Sequence, residues 1–146
     1  MTLHLIKLCV GVDSVEELAA WIDEDFDRQR RAGRTPEDSH TTRMTPKRAE
    51  DLLDGGSLYW VIRGHVQVRQ RLLGIEPVVG EDGIGRCKLV LDPTLVRTAF
   101  QPRQPFQGWR YLEPKDAPRD LDAKGEGGGD DLPDALRAEL ASMGLF

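Results

Sequence analysis

Long apolar runs, metal-ligand clusters and catalytic signatures are all missing from this chain of 146 residues. No stretch approaches the ~18 apolar residues that a membrane-spanning helix needs. Met1 to Lys7 lack the basic lead, apolar stretch and small-residue cleavage site of a secretory signal, which predicts a cytoplasmic protein with no membrane partner. The two cysteines, Cys9 and Cys87, belong to no CxxC or Cys/His cluster. Both fall in apolar, strand-like runs and read as buried, reduced thiols. Three scattered histidines, His4, His40 and His65, show no metal-ligand spacing, so no metal or other cofactor is expected. GxSxG, P-loop and GxGxxG patterns are absent. The glycine-rich stretch from Gly80 to Gly85 carries Glu81 and Asp82, the wrong charge to cradle a phosphate. No catalytic residue is assigned, and a binding protein is favoured over an enzyme.

What is present suits one globular domain. Hydrophobic residues make up 39% of the chain and charged residues 31%, enough apolar content to close a core. The net charge of −5 hides a division along the chain. Residues 1–39 hold 5 basic and 9 acidic side chains, residues 40–110 hold 11 and 7, and residues 111–146 hold 4 and 9. The basic middle also contains or adjoins most of the aromatic residues: Tyr59, Trp60, Phe100, Phe106, Trp109 and Tyr111. Such asymmetry says more about partners than the total charge does.

Leu3 to Val12 reads as a strand. Ser14 and Glu17 then form a capping box, and Val15, Leu18, Ile22 and Phe26 make one apolar helical stripe. Residues 32–42 carry no hydrophobic periodicity and read as a loop. Thr45-Pro46 resembles the start of a second helix, with Thr45 as N-cap, and Asp54-Gly55-Gly56 stops it. Two strands follow, joined at Gly64. In the first, Leu58, Trp60 and Ile62 share one face and Tyr59, Val61 and Arg63 the other. In the second, Val66 and Val68 alternate with a polar row of His65, Gln67, Arg69 and Arg71. Gly74 marks a bend, Gly80–Gly85 a hairpin turn, and strands follow over Arg86–Asp92 and Leu95–Phe100. Five or six strands with segregated helices predict an α+β fold, drawn as a small, mostly antiparallel, partly closed β-barrel. The expected organisation is a domain over residues 1–121, a flexible acidic glycine-rich linker over 122–131, and a C-terminal helix over 132–146 with Leu132, Leu136, Leu140 and Met143 on one face.

Several separated segments recur together in order: His4-Leu5-Ile6-Lys7-Leu8, Gly55 to Ile62, Arg86-Cys87 with Leu89-Val90-Leu91-Asp92-Pro93, and Pro105 to Leu112. In these the chain resembles an alphaproteobacterial family designated domain of unknown function 1489, over roughly residues 1–121. The resemblance implies a bacterial cytoplasmic protein and transfers no site residues. At fold level the order of elements is also similar to the PUA-like barrels, including EVE and ASCH domains, which implies binding of RNA or modified bases without naming residues.

From the residues themselves, the leading candidate site is a basic–aromatic face for RNA or a modified nucleotide. Arg43, Lys47, Arg63, His65, Arg69, Arg71 and Arg110 would supply cations, and Trp109 and Tyr111 stacking rings. Arg48, Tyr59 and Trp60 belong to the same group by position. Two alternatives stand beside it. His40 or His65 could serve an enzyme acting on a small nucleotide-like substrate, with Asp51, Asp82 or Asp92 as partner. The C-terminal apolar stripe could instead dock on another protein.

Overall fold

A computed structural model describes residues 1–121; the expected linker and C-terminal helix lie outside the described residues. The elements are β1 (His4–Leu8), α1 (Val15–Arg31), β2 (Asp38–Thr42), α2 (Ala49–Leu52), β3 (Ser57–Ile62), β4 (His65–Val79), β5 (Gly85–Leu91), β6 (Val96–Pro102) and β7 (Trp109–Leu112). The seven strands form one sheet in the order β2-β5-β4-β3-β1-β7, with β6 also paired to β4. β1 and β3 run parallel and the remaining pairs antiparallel.

β4 organises the sheet. Leu72 donates its backbone N–H to Gly56 on one side, while the carbonyl of Arg71 accepts from Asp92 on the other. β5 and β6 therefore follow one another along the edge of β4 that faces away from β3, separated by the Asp92-Pro93 corner. The register slips between Leu72 and Gly74, which is where the sequence marks a bend. The partly closed barrel is not formed. The end strands β2 and β7, five and four residues long, pair only inward among the described residues, and closure requires the two ends to meet.

The sheet is covered on both faces. α1 lays Val15, Leu18 and Ile22 against Leu5, Leu58, Trp60, Ile62, Val68, Leu72, Leu89 and Leu91, each such burial being worth about 1.5–3 kcal/mol. The other face carries a smaller cluster of Ile6, Tyr59, Val61, Val66 and Leu112, with Phe106 and Ala117 packed on it. The Ser14 cap forms, with Glu17 donating its N–H to Ser14 Oγ at 3.1 Å, but the Glu17 carboxylate reaches back to the N–H of Asp13 at 2.9 Å rather than to that of Ser14. No helix among the described residues is long and apolar enough to cross a membrane.

Three local expectations are corrected. Residues Asp38–Thr42 are strand β2, not loop; β5 supplies its pairing, and its inward positions are polar, so no hydrophobic period announces it. The second helix is a single turn of four residues that starts after Arg48, without a side-chain cap from Thr45. The N–H groups of Lys47 and Arg48 donate instead to the hydroxyl of Tyr111, at 3.0 and 3.3 Å. Finally, the polar row on β4 is divided. Trp60 pairs with Val68 while Val61 pairs with Val66, leaving Gln67 as an extra residue. Such a bulge reverses the alternation. Val66 and Val68 join opposite clusters, and His65 stands across from Ile62 whereas Arg69 stands across from Tyr59.

Candidate functional site

The bulge disperses the basic–aromatic face. Arg63 sits with φ 51° beside Gly64 at φ 80° in the two-residue β3–β4 turn, a type I′ geometry that places it at the tip rather than on a face. His65 is half-buried, with Nδ1 3.2 Å from the carbonyl of Arg63 and its ring against Phe100. Arg69 is clamped by Asp120, with bonds of 2.8 and 2.7 Å, and by Ser57 Oγ. Trp109 is buried in the core and donates to the carbonyl of Met44 at 2.7 Å. The hydroxyl of Tyr111 is engaged by the Lys47 and Arg48 amides, so that helix start presents no vacant anion site. Arg48 pairs with Asp51, and Arg110 folds over Phe106 while bonding the carbonyls of Gln107 and Trp109. Tyr59 is buried under His4. Arg43, Lys47 and Arg71 are exposed, but they flank no open stacking ring of this set other than the edge of Tyr111.

A different group of residues comes together. A cleft of about 450 Å³ opens where β1 gives way to α1. It is bounded by Lys7, Cys9 and Val12 from β1 and the loop beyond, Leu18 and Trp21 from α1, His40 from β2 and Trp60 from β3. Alternation explains the membership. Leu5, Lys7 and Cys9 share the face covered by α1, with Lys7 in register with Trp60. Asp38, His40 and Thr42 pair with Leu91, Leu89 and Cys87, so all three point to that same face.

Three rings run in series through this cleft. His40 meets Trp60 edge-on at 4.7 Å between centroids and lies 6.2 Å from Trp21 at an angle of 32°. Trp60 is 2% exposed and forms the inner wall, whereas Trp21 is 42% exposed at the mouth. Trp60 is thus both a core residue and a cleft residue. Lys7 makes no ion pair among the described residues, while Arg69, Arg86, Lys88 and Arg97 of the sheet do.

Behind the rings lies a buried polar chain. Trp60 Nε1–H donates to Gln70 Oε1 at 2.8 Å, and Gln70 donates to Asp38 Oδ2 at 2.6 Å and to the carbonyl of Asp92 at 2.9 Å. Asp38 Oδ1 is 3.8 Å from His40 Nε2, a nitrogen that is buried and has no hydrogen-bond partner among the described residues. The carboxylate beside His40 is therefore Asp38, not Asp51, Asp82 or Asp92. Those three bond the N-terminus and Arg48, Arg86, and the Thr94 amide respectively.

Burial pushes His40 down to about 4, helped by the Lys7 ammonium and opposed by Asp25. Burial pushes the Asp38 carboxyl upward against the stabilising Gln70 donor. Cys9, also desolvated, is raised to about 11 and stays a thiol rather than a nucleophilic thiolate. At neutral pH the cleft accordingly holds a neutral imidazole, a neutral thiol and one cation. Both cysteines are free, and no three His, Cys, Asp or Glu side chains gather to hold a metal among the described residues.

Of these residues the sequence reading reached His40 and Trp60 but missed Lys7, Trp21 and Asp38. Two signals were present. Trp21 sits beside the apolar stripe of α1 rather than in it, and Lys7 interrupts the inward face of an otherwise apolar strand.

A family model described as protein of unknown function (DUF1489) matches residues 5–146, and the chain belongs to that family. The match runs through the C-terminal tail, which the motif resemblance had left outside. No curated protein and no solved structure matches the chain.

Proposed function

We propose that this family member binds a small planar ligand of nucleobase type in the cleft between α1 and the sheet, with an anionic group such as a phosphate at Lys7. One observation carries the reading: Trp21, His40 and Trp60 stand in contact in series along a cleft lined by Lys7, which makes no ion pair among the described residues. Stacking on an aromatic side chain contributes about 1–3 kcal/mol per base, and a cation adds salt-dependent attraction. The exposed face of Trp21 offers such a platform. This replaces the broader basic–aromatic face, whose rings and arginines are largely taken up by internal contacts.

Binding is favoured over catalysis by the state of His40. An imidazole depressed to about 4 is far below the operating pH at which a general base works best, yet it remains a good hydrogen-bond acceptor.

Quenching of tryptophan emission by nucleoside monophosphates, and by short single-stranded RNA, at two salt concentrations tests the proposal. Monophosphates should quench, more weakly at high salt, and Trp21→Ala should lower affinity about tenfold or more. Binding by RNA alone would place the ligand in a polymer. An absence of quenching by any of these at millimolar concentration would sink the reading.

A further inference from the structure

We propose that Asp38 holds His40 in the Nε2–H tautomer, which turns Nδ1 into a fixed acceptor that selects ligands carrying an N–H or O–H donor on the ring edge. The ligand half of this inference rests on the function proposed above; the tautomer half does not.

The geometry assigns the two nitrogens different roles. Nε2 is sealed from solvent without a hydrogen-bond partner among the described residues, and Asp38 Oδ1 lies 3.8 Å from it. His40 lines the cleft with 24% of its side chain exposed, so the accessible part of the ring is not Nε2, and Nδ1 is the nitrogen that a ligand can reach. If Nε2 were the unprotonated nitrogen, its lone pair would face a carboxylate oxygen in a medium of low dielectric. An N–H in the same place is attracted to that oxygen.

Asp38 cannot turn away. Oδ2 is held by Gln70 at 2.6 Å, and Gln70 is held in turn by Trp60 and the Asp92 carbonyl. The backbone of His40 is fixed opposite Leu89 in the β2–β5 ladder. Asp38 is therefore a positioning residue and His40 the contacting one. A ligand donor on Nδ1 polarises the ring and makes Nε2–H more strongly attracted to Oδ1, which favours the same tautomer. The Lys7 ammonium, also on the cleft, resists protonation of the ring and keeps it an acceptor rather than a second cation.

Long-range nitrogen–proton NMR of the 15N-labelled protein at pH 7 reads the tautomer directly. His4, whose Nδ1 accepts from the Ser57 amide at 3.0 Å, provides an internal reference for the Nε2–H form, and His40→Phe identifies the His40 signals. His40 should show a protonated Nε2 and an unprotonated Nδ1, and Asp38→Asn should shift the population toward Nδ1–H. An Nδ1–H form in the unmodified protein overturns the inference, whatever binds. The second arm compares uridine monophosphate with its N3-methyl counterpart. The unmethylated ring should bind about tenfold tighter, and His40→Phe should erase the difference. Equal affinity for both rings overturns the selection. If neither ring binds, the ligand class fails while the tautomer result stands.

Discussion

Trp60 and Gln70 meet inside the β3–β4 pair, the indole N–H donating to the amide oxygen at 2.8 Å. Gln70 has no exposed surface, and its other two bonds reach Asp38 on β2 and the Asp92 carbonyl at the β5–β6 corner. One buried amide thus ties together the strand that carries the inner tryptophan, the strand that carries His40 and the corner that redirects the chain. A buried polar network of this kind stabilises only when its members are all partnered.

Replacing Gln70 by Ala leaves an indole N–H and a buried carboxylate oxygen without partners. The expected loss is about 3 kcal/mol, combining the unsatisfied donor with the desolvated charge. Urea denaturation with an unchanged m-value measures it, and Gln70→Leu should fare no better because it restores volume without polarity. A loss under about 1 kcal/mol would mean the network is dispensable.

Gly56 should tolerate no side chain. A Cβ there would stand 2.1 Å from the carbonyl oxygen of Leu3 and 2.3 Å from that of Leu52, both backbone atoms that cannot step aside independently. Gly56→Ala should destabilise by about 3 kcal/mol or more, visible as a lowered thermal midpoint. Gly64→Asn, at an open turn position with φ 80°, should be far milder, since asparagine tolerates that conformation.

Stability should fall as pH drops from about 6.5 toward 4. His40 binds its proton near 4 when folded and near 6.5 when unfolded, so within that window the unfolded chain holds more protons and acid favours unfolding. The full effect approaches roughly 3 kcal/mol. His4 is also depressed by burial and by Arg69 and acts in the same direction, while Asp38, raised by burial, acts oppositely at the acid end. The difference between the parent protein and His40→Phe isolates the His40 share, in chemical denaturation at pH 7 and pH 4.5. Parallel pH profiles for the two would contradict the assignment.

Arg69 and Asp120 join the sheet to the chain that returns past β7, with Arg69 donating through Nε and Nη2 to both carboxylate oxygens. The pair is partly solvated, with side chains 23% and 45% exposed, so a double-mutant cycle should yield a coupling of about 1 kcal/mol rather than the larger value of a buried pair. The coupling should shrink with added salt.

The elements legible beforehand were those that hydrophobic spacing or turn chemistry announces. The Ser14–Glu17 cap, the Val15-Leu18-Ile22 stripe, the opposed faces of Leu58-Trp60-Ile62 and Tyr59-Val61, the inward Cys87-Leu89-Leu91 and the Gly80–Gly85 hairpin all follow from local pattern. β2 was not legible, because Asp38, His40 and Thr42 point inward as polar residues, and the partner that fixes Asp38, Gln70, is distant in sequence. The bulge at Gln67 was equally hidden. Val-Gln-Val reads as plain alternation, and only pairing with β3 shows that one residue is surplus.

That bulge separates the two kinds of knowledge about this protein. From the sequence alone come a sheet-rich fold with few helices, the family, the capped helix and the types of residue at hand, because each is written in local pattern or motif. Where those residues stand was decided in the folded molecule. A one-residue slip set His65 on the opposite face from Arg69 and Arg71, internal partners absorbed Arg69, Trp109 and Tyr111, and register placed Lys7, Trp21, His40 and Trp60 around one cleft. Strand pairing and burial act between residues far apart in the chain, and no local pattern encodes which of them will meet.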